Sequence, residues 1–82
     1  MLRDLRNYIM EEDFRVNYVK NKVDVVNYLS IDHFENNKIM IRYKEGLLVV
    51  IGSDLTISKL LKDEVLISGV IKEIEFRWVK FY

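Results

Sequence analysis

From Phe14 onward, apolar and polar residues alternate with a period of two, and no proline interrupts the run. That period sends alternate side chains to opposite faces of an extended chain, and without proline every backbone N–H is free to pair. Such a segment is committed to β-sheet. The alternation predicts strands over 14–19, 23–34, 38–43, 47–51, 54–60, 64–69 and 70–79. The turns between them are expected at Asn21-Lys22, Asn36-Asn37, Lys44-Glu45-Gly46, Ser53-Asp54 and Lys62-Asp63, where Asn, Asp and Gly supply the left-handed backbone of tight turns. Ahead of the alternation, Leu2, Leu5 and Ile9 recur at helical spacing, with Arg3, Asp4, Arg6 and Asn7 on the other side. This pattern predicts one short amphipathic helix over residues 1–10. The 82 residues are therefore expected to form a single domain, 1–82, with a helix at 1–10 and a β domain at 14–82.

The alternation also repeats. Sliding residues 27–52 onto 53–78, a shift of 26, superimposes Leu29 on Leu55, Ile31 on Ile57, Phe34 on Leu60, Ile39 on Val65, Ile41 on Ile67, Leu48 on Ile74 and Val50 on Phe76. In both copies the first strand reads apolar-x-apolar-x-x-apolar, and the extra residue has the signature of a β-bulge. Short connections favour antiparallel meanders, giving six or seven strands in a small sandwich or barrel. The alternative is that each 26-residue unit forms one coil of a β-solenoid. One core face is expected from Ile39, Ile41, Leu48, Val50, Leu55, Ile57, Val65, Ile67, Ile74 and Phe76. The run Leu47-Leu48-Val49-Val50-Ile51 is apolar on both faces, as in a central strand. Trp78 continues the inward face of Ile74 and Phe76, while Val79, Phe81 and Tyr82 extend a strand for which the repeat supplies no opposite number. Trp78, Val79, Phe81 and Tyr82 are therefore the expected partner interface, in a second chain or another protein. The competing expectation packs this strand against Leu2, Leu5 and Ile9.

Composition narrows the chemistry. Cysteine is absent and His33 is the single histidine, so disulfides, thiolate zinc sites and multi-histidine metal sites are excluded. Thirteen basic and thirteen acidic residues cancel, so the chain lacks the positive charge that drives binding to a polyanion. The longest apolar run, Leu47–Ile51, is far short of the ~20 residues of a membrane helix, and no apolar leader is visible at the N-terminus. Asp32-His33 invites a catalytic reading, yet neighbours on a regular strand face opposite ways unless a bulge intervenes. Gly46, Gly52 and Gly69 are isolated and form no phosphate loop. The expectation is a protein with no catalytic residues, cofactor, metal, nucleic-acid partner or direct membrane insertion. A small β-barrel binding single-stranded nucleic acid through its many aromatics is the alternative.

Three segments carry a resemblance: Asn27-Tyr28-Leu29-Ser30-Ile31 with Lys38-Ile39-Met40-Ile41-Arg42-Tyr43, then Gly46-Leu47-Leu48-Val49-Val50-Ile51-Gly52-Ser53-Asp54-Leu55-Thr56-Ile57, then Leu66-Ile67-Ser68-Gly69-Val70-Ile71-Lys72-Glu73-Ile74-Glu75-Phe76. Their order and spacing resemble the YabP/YqfC family of small sporulation proteins of endospore-forming Firmicutes. The resemblance implies a non-enzymatic structural or protein-interaction component of endospore formation, cytoplasmic, in the mother cell and peripheral at the forespore membrane. It implies a protein partner, a membrane sporulation protein of the YqfD type, and is compatible with a homo-oligomer. It carries no catalytic residues onto this chain.

Overall fold

Two strands of fifteen residues organise the molecule. A computed structural model describes residues 13–78, so the helix expected at 1–10 and the residues Val79, Phe81 and Tyr82 lie outside the described residues. The six strands are β1 (Arg15–Val19), β2 (Lys22–Val26), β3 (Ser30–Glu35), β4 (Lys38–Tyr43), β5 (Gly46–Leu60) and β6 (Glu64–Trp78). All neighbours are antiparallel, in one sheet of order β1-β2-β6-β5-β4-β3. Antiparallel pairing throughout rules out the solenoid, and the sheet is open, so it is not a barrel. Nor is it two independent sheets, because β5 and β6 run through the whole molecule.

The alternation and turn residues predict a division of each long strand in two, at Ser53-Asp54 and between Gly69 and Val70. Both divisions are bends instead of turns. The β5–β6 register shifts between Ile51 and Gly52 and again between Ser53 and Thr56, and Asp54 takes a positive φ of 53° there. Opposite it, Gly69 has a φ of 138°, and a Cβ at that position would lie 2.6 Å from the Asp54 carbonyl oxygen. The two strands cross closely at this point, which glycine permits without interrupting the ladder. Conversely, the strand expected over 23–34 is two strands. It breaks at Asn27, whose φ of 65° turns the chain from β2 to β3.

The bend divides the sheet into two four-stranded halves. In one, β4 pairs with β5 only over Gly46–Ile51, beside the last residues of β6. In the other, β2 pairs with β6 only over Glu64–Ser68. The inner faces of both halves supply one cluster: Val23, Val25, Leu55, Val65 and Ile67 from one, and Ile39, Ile41, Tyr43, Leu48 and Val50 from the other. Phe14, just before β1, stacks on Tyr43 at the end of β4 with ring centroids 4.0 Å apart, tying the halves together. Seven of the ten expected core positions are buried and two more, Ile57 and Ile74, are partly so, but the inner face extends further than expected at Val23, Val25 and Tyr43 and less far at Phe76, which is 45% exposed. Val49 is fully buried on the opposite face, as the two-sided apolar pattern of a central strand requires.

The 26-residue repeat is structural in its first part. The β3–β4 hairpin pairs Ser30 with Arg42, Ile31 with Ile41, His33 with Met40 and Phe34 with Ile39. The β5–β6 hairpin pairs Thr56 with Ser68, Ile57 with Ile67, Lys59 with Leu66 and Leu60 with Val65, the same register displaced by 26. Both hairpins carry their bulge at the equivalent place, after Ile31 and after Ile57. The repeat ends there. In the first copy β4 turns back through Lys44-Glu45 into β5, whereas β6 continues through Gly69. The strand beside the second hairpin is then β2, so Val23 and Val25 flank Ile67 and Val65 as Leu48 and Val50 flank Ile41 and Ile39.

Candidate interaction surface

The bulge after Ile31 decides the fate of Asp32-His33. It places Asp32 and His33 on the same outer face, since His33 lies opposite Met40 while Asp32 reaches Arg42. They do not engage each other. Asp32 accepts a hydrogen bond from the Ser30 hydroxyl at 2.7 Å and from Arg42 Nε at 2.8 Å, with Arg42 Nη2 also at 2.8 Å. The Ser30 hydroxyl, and then the Arg42 charge, hold its carboxyl below the usual range despite some desolvation. His33 Nε2 lies 3.3 Å from Glu35 Oε1 instead. Asp32 is thus a latch between β3 and β4, and in the second hairpin the equivalent contact is a hydroxyl pair, Ser58 with Ser68 at 2.7 Å. Among the described residues no group of three or more His, Cys, Asp or Glu side chains could hold a metal ion. Nor is any helix there long and apolar enough to cross a membrane.

The distinctive surface is at the far end of β6. Because β2 stops at Ser68's partner, among the described residues no strand covers the outer edge of β6 from Val70 to Trp78. On the inner face of that edge stand Ile74, Phe76 and Trp78, in register with Val50, Leu48 and Gly46. Ile74 is half-buried, Phe76 is 45% exposed and Trp78 is 69% exposed. The period of two aims all three inward, yet only Ile74, which shares a groove with Tyr18 of β1, is half-buried. Burying an aromatic side chain is worth roughly 1.5–3 kcal/mol, which makes an exposed strip of this kind a candidate contact surface.

Trp78 is nonetheless held in place. Tyr43, sandwiched below Phe14, meets Phe76 and Trp78 edge-on, with centroids 6.5 and 6.2 Å apart and planes 78° and 80° from parallel. These are favourable aromatic geometries. Burial, with the Glu45 charge beside it, pushes the Tyr43 phenol up from its ordinary value. On the outer face of the same edge, Arg77 donates to Glu75 at 3.2 Å. At the other end of the exposed edge a groove of about 200 Å³ is lined by Tyr18, Ile71, Lys72, Glu73 and Ile74. It is below the ~300–1,000 Å³ of typical small-molecule sites.

Of the expected interface residues, Trp78 lies on the inward face at the last described residue of β6, paired with Gly46 of β5 on one side and, among the described residues, uncovered on the other. Val79, Phe81 and Tyr82 are outside the described residues. Ile74 and Phe76, read as core, are the strip's other members. Phe14 and Tyr43, which orient Trp78, were legible only as alternating strand residues.

Over the described residues, fold and surface together define a small all-β domain built on one bent antiparallel sheet, with an aromatic strip along a strand edge that no described strand covers. The YabP family's sequence model matches residues 18–80, from β1 through the whole of this edge, and the chain belongs to that family. No curated protein and no solved structure matches the chain.

Proposed function

We propose that this chain is a sporulation component that works by protein–protein contact and not by catalysis, and that its contact surface is the β6 edge from Ile74 to Trp78. Family membership supports the sporulation role. The observation that carries the contact surface is the strip of exposed aromatics along an uncovered strand. A strand added at that edge gains backbone hydrogen bonds and covers the apolar side chains in one step. Asp32, engaged by Ser30 and Arg42, is not poised for acid–base chemistry. A membrane sporulation protein of the YqfD type, implied by the family resemblance, is the partner that would bring the chain to the forespore membrane.

The test is genetic. Deleting the gene in its spore-forming host should lower the yield of heat-resistant spores, and the wild-type gene should restore it. A Trp78→Lys allele should accumulate folded protein yet fail to restore it. Full restoration by Trp78→Lys would remove this edge from the function. The nucleic-acid alternative predicts binding to single-stranded DNA that weakens steeply with salt. With no net charge, the chain is expected to show none.

A further inference from the structure

Among the described residues the sheet has four uncovered edge segments: β1, β3, β5 beyond Thr56, and β6 beyond Val70. Exposed edges invite pairing with another chain unless bulges or charges spoil them. On β3 the bulge after Ile31 and the Asp32–Arg42 pair do so, and on β5 the bulge after Ile57 places Ser58 and Lys59. The short β1 presents Arg15 and Asn17 and ends in the Lys20-Asn21 turn. The β6 edge is different. From Glu73 to Trp78 its register with β5 is unbroken, and its inner face carries Ile74, Phe76 and Trp78.

That segment is complementary to itself. Antiparallel pairing about a two-fold axis through Phe76 sets Glu75 opposite Arg77 in both directions, Ile74 opposite Trp78 in both directions, and Phe76 against its own copy. Moving the axis one residue back opposes Glu75 to itself. Two back opposes Glu73 to Glu75, and one forward opposes Arg77 to itself. Like charges directly opposite each other destabilise a strand pair, so within Glu73–Trp78 the charges select Phe76. With the axis perpendicular to the sheet, opposed residues share a face: the aromatics meet on the inner side, and Glu75 and Arg77, already an ion pair at 3.2 Å within one chain, exchange partners on the outer side.

The geometry points to a second copy of this chain as the occupant of the β6 edge, in an isologous dimer centred on Phe76. Two half-sheets of order β3-β4-β5-β6 would then join as one eight-stranded sheet. This inference rests on the reading of that edge as a contact surface and adds the identity of one partner.

Charge swaps in the full chain test it by sedimentation equilibrium. The wild type should reach twice the 9.9 kDa chain mass. Glu75→Arg alone and Arg77→Glu alone should each raise the dissociation constant at least about tenfold, by opposing like charges at two positions. Mixed one to one, these two variants should form a heterodimer of wild-type affinity, because each supplies the charge the other needs. Unchanged melting temperatures at a dilution where all chains are monomeric show that the variants are folded. A wild type that stays monomeric at millimolar concentration overturns the proposal, as does a dimer indifferent to the single swaps or a mixture that does not associate. If the wild type is monomeric while Trp78→Lys still fails to support sporulation, the second copy is refuted and the edge serves a different protein.

Discussion

Ile41 and Ile67 occupy equivalent places in the two repeated hairpins, one in each half of the bent sheet, and both are fully buried in the shared cluster. Truncating either to alanine removes about three buried carbons and leaves a cavity, a change that costs about 2–5 kcal/mol. At roughly 0.05–0.15 kcal/mol per residue, a chain of this length has a total stability of about 4–12 kcal/mol. Either substitution is therefore a large fraction of the whole and should lower the melting temperature by at least about 8 °C. More informative is how the loss is distributed. Since β5 and β6 cross the bend without interruption and both halves line one cluster, neither half can melt alone. Far-UV circular dichroism follows the entire sheet, and Trp78 emission follows the half containing β4 and Tyr43. In Ile41→Ala and in Ile67→Ala the two signals should shift together, with coincident urea midpoints. An Ile67→Ala chain whose circular dichroism shows an early transition while Trp78 emission stays at the wild-type midpoint would refute the shared core. Arg42→Asp, on the outer face beside Ile41, is the control. It breaks an exposed pair worth no more than about 1 kcal/mol, so an effect equal to that of Ile41→Ala would show that the inner and outer faces are wrongly assigned.

Three further substitutions probe the bend and the outer face. Gly69→Ala would force a Cβ to within 2.6 Å of the Asp54 carbonyl oxygen at a φ of 138°, costing about 1–3 kcal/mol, seen as a lower urea midpoint. The Glu64 carboxyl is held above its ordinary value of 4.5 chiefly by a hydrogen bond to Asp24, with burial and the Asp24 charge adding. Its stabilising contribution is complete below that ordinary value and lost as pH rises through the raised one. Glu64→Gln, whose amide donates to Asp24 at every pH, should raise the melting temperature at neutral pH and reduce its fall between mildly acid and neutral solution. Asp32 works in the opposite sense, since its carboxyl sits below 3.8. Its contribution is present above that value and lost as pH falls through the lowered one, so Asp32→Asn should flatten the acid limb of the stability profile in that range.

The residues themselves determine a good deal of this protein. Period-two alternation and the missing proline force antiparallel sheet. The extra residue after Ile31 and after Ile57 announces both bulges, and self-similarity at 26 residues anticipates that the two hairpins share a register. These features are local: faces, bulges and tight pairing depend on neighbours in the chain. The strand and glycine pattern also carries the family resemblance. What the tertiary structure decides is where strands continue and what lies across from them. A glycine at the end of an alternating run suits a turn or a bend equally well, and Gly69 bends because the Asp54 backbone crosses it, a contact made fifteen residues away in the chain. The substitution of β2 for the expected third strand of the second repeat is decided in the same way, by a segment from outside the repeat. Period two says that Ile74, Phe76 and Trp78 face inward, but not how far the opposing layer reaches. Because β2 pairs with β6 no further than Ser68, the same inward pattern that buries Ile67 leaves Phe76 and Trp78 in the open, and this exposed strip is defined only once the sheet has folded over itself.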